Sequence, residues 1–259
     1  MQYFGSTDQG IRRSSNQDAF LLKVAGNLLV ATVCDGMGGV QGGGVASSIA
    51  VETYTKKLSK YIMSALSFVY LGDIPEFGKP CEDFPDLHLD DFISKSIDLA
   101  NAGVYSEAEK KPSLAGMGTT LTSCVVTPKG IVTANIGDSR IYYANDGAIT
   151  QLTKDHSLVQ NLVDEGKITP EEAYTHPNRN IILRALGVDE KVEADITEFP
   201  FTEGHLLLCS DGLSGYYDED FFLQTLESNR SCQEKASLLI EYANHCGGAD
   251  NITAIVIKL

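Results

Sequence analysis

The pattern of apolar and polar positions divides the chain into three β-rich parts with helices between them. Runs rich in β-branched and aromatic residues predict strands, and Gly26-Asn27 and Asn145-Asp146-Gly147 supply turns between them. The predicted strands form a first block over 3–33 (an extended start, then 18–24 and 27–34), a second block at 119–127, 131–135, 140–144 and 149–152, and a third block at 192–199, 205–210 and 252–258.

Apolar residues that recur at helical spacing predict helices between these blocks. The first helix carries a stripe of Leu58, Ile62, Leu66 and Val69. The predicted helices are 44–69, 89–110, 219–226 and 232–245. Strands in blocks with helices between them predict an α+β fold with antiparallel sheets, and the order of the elements leaves the number of sheets open.

No linker, repeat or low-complexity tract divides the sequence. We therefore predict a single domain over residues 1–259, which is long enough to bury a large core. Two segments stand apart from the predicted elements. Residues 71–87 contain three prolines and predict an extended loop. Residues 155–190 are polar and predict a mobile flap beside the active site that tunes which substrate is accepted.

The chain is acidic, with a formal net charge of −15 over 259 residues. Such a surface repels nucleic acid and anionic membranes, so neither is predicted as a partner. The six cysteines form no C-x-x-C pair, which indicates reduced thiols in a reducing compartment. The first ten residues are polar and unlike a signal peptide, so we expect a cytoplasmic protein.

Four aspartates follow or precede apolar strand-like runs. Asp35 and Asp211 each end such a run, Asp250 opens the last one, and Asp138 comes after Ile136-Gly137. Each Asp-Gly taken alone indicates only a turn. Several carboxylates at the ends of buried strands would repel one another, and a hard divalent cation with oxygen ligands resolves that conflict. Together they favour a Mg²⁺ or Mn²⁺ site.

Other kinds of site lack their signatures in this sequence. The five histidines show no zinc-ligand spacing, and there is no P-loop and no G-x-S-x-G or cysteine-nucleophile motif. The glycine-rich run 38–44 does not have dinucleotide-loop spacing within a βαβ unit.

Short motifs occur in a fixed order along nearly the whole chain. They are Asp8-x-Gly10-x-x-Arg13-x-x-Asn16-Gln17-Asp18, Asp35-Gly36-Met37-Gly38-Gly39, Gly118-Thr119-Thr120, Gly137-Asp138-Ser139-Arg140, Leu152-Thr153-x-Asp155-His156, Arg184-Ala185-Leu186-Gly187, Ser210-Asp211-Gly212-Leu213 and Gly248-Ala249-Asp250-Asn251-Ile252-Thr253. The ordered set resembles the protein phosphatase 2C (PPM) family, in particular its bacterial members.

The resemblance implies an α-β-β-α fold, in which two antiparallel sheets pack face to face between outer helices. It implies a protein-serine/threonine phosphatase with two Mn²⁺ or Mg²⁺ ions and a third, more weakly held ion. Its substrates would be phosphorylated proteins, the products of a Ser/Thr kinase. A water that bridges the two ions would attack phosphorus directly, so no covalent phosphoenzyme is expected.

The family's site residues can be carried over by position. Asp35, Asp211 and Asp250 would ligate the first ion, and Asp35 would bridge to the second with the carbonyl of Gly36. Asp18 would hold metal-bound waters, and Asp138 with Asp211 matches the third site. Arg13 matches the arginine that binds the substrate phosphate, and with Asp35 and Asp211 it completes the predicted catalytic set.

The sequence departs from the family pattern at four places. Gln17 stands where animal members have a metal-site glutamate, and Met37 stands where they have a histidine proposed as general acid. Val40 replaces a histidine frequent in bacterial members, which we expect to affect packing. The loop 71–87 is longer than is usual in bacterial members, and no role is predicted for it.

Several alternatives remain open from the sequence. The same aspartates would serve a hydrolase of small phosphate esters, and a pseudophosphatase that only binds phosphoproteins is a second rival. Arg13 could form a surface ion pair, and Asp138 could pair with Arg140 or cap a turn. In the flap, His176 is either a selectivity residue or a helix-capping or surface residue.

Overall fold

Two antiparallel β-sheets form the centre of the molecule. We describe them from a computed structural model that covers residues 1–71, 73–77 and 84–259, without the side chains of Val40 and Gln41. The strands are β1 (Gln2–Asp8), β2 (Asp18–Ala25), β3 (Leu28–Met37), β4 (Gly118–Thr119), β5 (Leu121–Thr127), β6 (Gly130–Ile136), β7 (Arg140–Asn145), β8 (Ala148–Gln151), β9 (Asp195–Phe199), β10 (His205–Cys209) and β11 (Ile252–Lys258). One sheet has the order β1-β11-β10-β7-β8, and the other has the order β2-β3-β5-β6-β9 with β4 paired to the end of β3.

Helices cover the outer face of each sheet. They are α1 (Gly39–Val69), α2 (Leu89–Lys110), α3 (Leu158–Asp164), α4 (Pro170–Thr175), α5 (Asp211–Ser214), α6 (Glu219–Glu227) and α7 (Cys232–His245), with a 3₁₀ turn at Pro112–Leu114. The helices α1 and α2 pack on the sheet that contains β3, and α6 and α7 pack on the sheet that contains β11. The predicted α-β-β-α architecture is confirmed.

The burial of β3 shows how the layers form. Successive side chains of a strand point to opposite faces, and both faces of β3 are covered. Leu28 and Val30 pack in the core beneath α1, whereas Leu29, Ala31 and Val33 pack between the two sheets. A strand buried on both sides reads as a continuous apolar run, which is why 28–34 lacks a polar alternation.

The first helix begins earlier than the glycine run predicts. Glycine lowers helix propensity, so the sequence predicts a start at residue 44, but α1 begins at Gly39. A Cβ on Gly36 would lie 2.1 Å from the carbonyl oxygen of Gly43, and a Cβ on Gly43 would lie 2.5 Å from the carbonyl oxygen of Gly36. The glycines therefore let the start of α1 lie directly against the end of β3.

Two other boundaries differ from the prediction. The strand predicted at 192–199 begins only at Asp195, and the short helix α5, which begins at Asp211, was not predicted because four residues carry no periodicity. The prediction of a loop at 71–87 lies partly outside the described residues, as does the predicted packing role of the Val40 side chain.

The described cysteines are all free thiols. Cys34, Cys124, Cys209 and Cys232 are buried, and Cys246 is exposed. Across residues 1–71, 73–77 and 84–259, we find no helix with the length and apolar character needed to cross a bilayer.

Candidate active site

Three of the predicted aspartates meet where the two sheets face each other. Asp18 begins β2 and lies opposite Asp35 of β3 in the strand register. Asp211 follows β10 in the other sheet and begins α5. The carboxyl group of Asp35 lies within hydrogen-bonding contact of both Asp18 and Asp211. The sandwich thus brings together side chains that are 17 to 193 residues apart in the sequence.

Protein donors hold one oxygen of Asp18 and leave the other free. Its Oδ2 accepts hydrogen bonds from Ser210 Oγ at 2.7 Å and from Thr253 Oγ1 at 2.6 Å. Its Oδ1 is buried and has no hydrogen-bond partner in the described structure. Since buried polar atoms are nearly always paired, this oxygen is available to a ligand.

Asp138 and Asp250 border the same group from two further loops. Asp138 follows β6, as predicted from the sequence, and its charge interacts with that of Asp211. The Oδ1 atoms of Asp138 and Asp211 are both buried without a hydrogen-bond partner among the described residues. Asp250 precedes β11, and its charge also acts on Asp211.

The electrostatics of the cluster are unfavourable without a positive charge. Burial, together with the nearby Asp211, raises the pKa of Asp18 to about 6, although the hydrogen bonds from Thr253 and Ser210 lower it. Burial and the neighbouring carboxylates also raise the pKa of Asp35 and of Asp138 well above the usual range, and the pKa of Asp211 is raised for the same reasons. Carboxylates in this situation either take up protons or hold a cation.

The residues fit a site for hard divalent cations. Among the described residues, no three His, Cys, Asp or Glu side chains already form a closed metal-binding group. The unpartnered oxygens of Asp18, Asp138 and Asp211 are the ligand type that Mg²⁺ and Mn²⁺ prefer.

The Gly36 carbonyl and the Gln17 side chain both face the start of α1. The Gly36 carbonyl oxygen faces Gly43 at the start of α1. Gln17 donates from Nε2 to the carbonyl oxygen of Gly39 at 2.7 Å, so its amide is engaged with the same helix.

Arg13 lies at the mouth of the aspartate cluster. Its Nη2 donates to Asp250 Oδ2 at 2.5 Å, and the two side chains are 50% and 30% exposed. The sequence alternatives for Arg13 were phosphate contact or a surface ion pair, and the structure shows an ion pair. The ion pair is made with a predicted metal ligand, and the guanidinium lines the same cavity as Asp138 and Asp211.

A cavity of about 520 Å³ opens between the aspartates and the flap. Arg13, Asp138, Asp211 and Asp250 line one side, and helices α3 and α4 of the segment 155–190 line the other. His176 is not among the lining residues. It is the C-cap residue of α4, and its Nδ1 accepts a hydrogen bond from the backbone of Asn178 at 3.1 Å.

Arg140 does not form an ion pair with Asp138 in the described structure. Its guanidinium binds both carboxylate oxygens of Asp155, at 2.8 Å for Nη2–Oδ2 and 3.0 Å for Nε–Oδ1, and donates to the Tyr142 hydroxyl at 3.0 Å. Bidentate pairing of this kind fixes both partners. Arg140 therefore anchors the start of the flap and leaves Asp138 Oδ1 unpartnered.

A histidine that the sequence did not single out holds the turn before Asp138. His156 Nδ1 accepts from the Gly137 N–H at 3.2 Å, and the His156 N–H donates to the Gly137 carbonyl oxygen at 2.9 Å. His156 Nε2 lies 3.1 Å from Asp195 Oδ2, and Arg184 Nη1 lies 3.0 Å from Asp195 Oδ1. The motifs containing His156 and Arg184 were visible in the sequence, but only the fold shows that they meet Asp195.

Comparisons with known proteins agree with this geometry. The family model described as protein phosphatase 2C matches residues 10–244. The chain belongs to this family. The predicted resemblance is therefore confirmed, and with it the predicted enzyme class of a protein phosphatase.

Relatives and solved structures cover almost the full length of the chain. The serine/threonine phosphatase stp of Listeria welshimeri is 38% identical over 254 residues, which are 97% of this chain and 93% of the relative. The crystal structure of the serine/threonine phosphatase Stp1 from Staphylococcus aureus superposes with a TM-score of 0.83 at 32% identity, over 99% of this chain and 94% of that one.

One solved relative contains metal ions. The catalytic domain of the serine/threonine protein phosphatase PstP, in complex with two manganese ions, has a TM-score of 0.77 and 33% identity to this chain. The match covers 98% of this chain and 96% of that domain. The protein phosphatase 2C fold thus holds two manganese ions in a relative whose sequence matches along nearly the whole chain.

Proposed function

We propose that the chain is a metal-dependent phosphoprotein phosphatase that hydrolyses phosphoserine and phosphothreonine. The observation that carries the proposal is the convergence of Asp18, Asp35 and Asp211, bordered by Asp138 and Asp250, beside an arginine in an open cavity. The names and bound manganese of the relatives support it.

Five aspartates would hold the cations in this proposal. Asp35, Asp211 and Asp250 would hold the first ion, and Asp35 with the Gly36 carbonyl would contribute to the second. Asp18 would orient bound water, and Asp138 with Asp211 would hold a third ion more weakly. Bound Mn²⁺ or Mg²⁺ would supply a bridging water of lowered pKa and positive charge near the phosphoryl oxygens.

The protein's own groups orient the substrate. Arg13 is exposed at the mouth, and its planar fork suits two oxygens of a phosphate. When it turns to substrate it releases Asp250 Oδ2, the oxygen it holds in this structure. Met37 has no titratable group, so the proton for the leaving alkoxide comes from elsewhere. In this proposal the buried Asp138, whose pKa is raised by burial and by Asp211, positions a proton-donating water.

Phosphate release from a phosphothreonine peptide tests the proposal. We expect release that depends on Mn²⁺, stops with EDTA and is lost in Asp211→Asn. Equal release with EDTA present would contradict the metal requirement. The rival function, hydrolysis of small phosphate esters, predicts a higher kcat/KM for a small ester than for any phosphopeptide. Phosphopeptide binding without release in the presence of Mn²⁺ would favour the pseudophosphatase. The kinase link and the cytoplasmic location stay predictions.

A further inference from the structure

The cavity is larger than a phosphoryl group requires. A phosphoryl group and the roughly six waters expected on two cations take about 250 Å³, at about 30 Å³ for each water-sized volume. The cavity measures about 520 Å³. About half of it is therefore left for other parts of a substrate.

The flap side of the cavity presents five apolar side chains among its polar ones. Helices α3 and α4 pack on each other, yet each also presents apolar side chains to the cavity. These side chains are Val159, Val163, Pro170, Ala173 and Tyr174. Tyr174 is 49% exposed, so a large aromatic surface remains in solvent beside the aspartate cluster. A concave apolar wall next to a few fixed polar groups is the usual build of a ligand site.

The charged groups near this wall are mostly already paired. Arg140 is bound by Asp155, and Arg13 by Asp250. Arg179 lines the cavity and has no ion pair among the described residues. It offers the competing possibility of binding an acidic substrate residue. On the flap side, five apolar side chains stand against the uncharged polar residues Ser157, Gln160 and Asn180 and one arginine, which favours an apolar occupant.

We propose that the wall formed by α3 and α4 is a subsite for a bulky aliphatic or aromatic side chain adjacent to the phosphorylated residue of a protein substrate. The proposal rests on the proposed function and deepens it by naming a substrate class. The phosphoryl group lies at the aspartates while the flanking side chain is buried against Val163, Ala173 and Tyr174. Burial of that side chain adds binding energy at a distance from the reacting phosphorus.

The test uses the full chain, Mn²⁺ and one phosphothreonine peptide whose neighbours are varied. Leu, Phe, Ala, Asp or Lys is placed in turn at each of the three positions before and after the phosphothreonine. At one or more of these positions we expect kcat/KM for Leu and Phe to exceed that for Ala by about tenfold, the discrimination that a hydrophobic pocket achieves. Equal values for Leu, Phe and Ala at every position would overturn the subsite.

Variants then locate the preference. Val163→Ser should reduce the Leu-to-Ala ratio to about threefold or less, because it removes apolar contact. Ala173→Leu, in α4, places a larger side chain in the space beside the wall and should also lower the Leu-to-Ala ratio. If one of the two variants does not fold, the other still tests the proposal. Leu183→Ser is the matched control: Leu183 lies in the same flap, is 48% exposed and does not line the cavity. Its ratio should equal that of the unaltered protein.

The remaining outcomes are also decisive. A Leu-to-Ala ratio that persists in both Val163→Ser and Ala173→Leu would place the preference elsewhere. A preference for Asp that disappears in Arg179→Ala would assign the cavity to acidic residues. If no phosphopeptide is hydrolysed while a small ester is, the proposed function fails. If all phosphopeptides are hydrolysed equally, only the subsite fails.

Discussion

Replacing Arg13 with alanine should change metal affinity and catalysis in opposite directions. In the structure, Arg13 Nη2 binds Asp250 Oδ2 at 2.5 Å in a partly exposed ion pair. Pairs of this kind contribute about 0.2–1 kcal/mol. A cation at Asp250 competes with this contact, so Arg13→Ala should tighten Mn²⁺ binding by up to about fivefold. This differs from the unchanged affinity that a purely substrate-binding arginine would give.

Catalysis should weaken in the same variant. A hydrogen bond to a charged group contributes about 1.5–3 kcal/mol, so the loss of Arg13 from the phosphate should lower kcat/KM by about 10- to 150-fold. Calorimetric titration with Mn²⁺ and phosphopeptide kinetics at saturating Mn²⁺ measure the two effects separately. Arg13→Lys keeps the charge without the planar fork and should recover only part of the activity.

The neighbouring Arg12 provides a control. It is exposed, does not line the cavity, and joins the loop through its backbone N–H, which donates to the Gly248 carbonyl oxygen. Arg12→Ala should therefore leave both quantities unchanged. Unchanged Mn²⁺ affinity together with unchanged kcat/KM in Arg13→Ala would return Arg13 to a surface role and refute the reasoning.

Three further predictions concern the carboxylates and the turn that holds Asp138. The pKa of Asp18 is raised to about 6 in the fold, so the folded state binds more protons than the unfolded state between about pH 4 and 6. The metal-free protein should therefore lose stability as pH rises through this range; Asp18 alone accounts for at most about 3 kcal/mol, and the raised pKa values of Asp35, Asp138 and Asp211 add losses of the same sign. Thermal melting with EDTA measures this, and a melting temperature independent of pH would contradict it. Asp138→Ala should lower kcat strongly while calorimetry still detects two tightly bound Mn²⁺ ions, and full kcat at saturating Mn²⁺ would exclude the third-ion role. His156→Ala should raise the Mn²⁺ concentration needed for half-maximal kcat. His156→Asn should recover part of the loss, because the carbonyl oxygen of asparagine can accept a hydrogen bond from the Gly137 N–H. If the two variants behave equally, this contact does not position Asp138.

The sequence predicted those parts of the fold that depend on local pattern. The helix at Leu89–Lys110 and the helix at Cys232–His245 have the predicted bounds because their apolar stripes are uninterrupted. The start of α1 was placed five residues too late because its glycines are present for contact with Gly36 rather than for helix stability. Helix propensity describes an isolated segment, so it does not account for a tertiary contact of this kind.

The aspartates could be identified as candidate metal ligands from the sequence, but the residues that contact them in the fold could not. An aspartate next to an apolar strand-like run can be recognised from the sequence, and the order of the motifs makes the assignment to a family specific. The residues that form hydrogen bonds and ion pairs with these carboxylates come from distant segments of the chain. Ser210 and Thr253 fix Asp18 from the opposite sheet, and Arg13 reaches Asp250 across 237 residues of sequence. Such pairings depend on strand order, which the hydrophobic pattern left open.

The flap shows why substrate selectivity is harder to predict from a sequence than catalytic chemistry. His176 drew interest because histidine is a reactive residue type, but its ring closes a local turn at the end of α4. The residues that do face the cavity from this segment include Val163 and Ala173, which are unremarkable in any sequence. Two helices of seven and six residues are too short to show a periodic face. The Arg140–Asp155 pair and the His156 contacts join the start of this segment to the strands that end at the aspartates. Under the proposed subsite, the chemistry of the site depends on residue types, whereas substrate choice would depend on where ordinary apolar side chains lie relative to the aspartates.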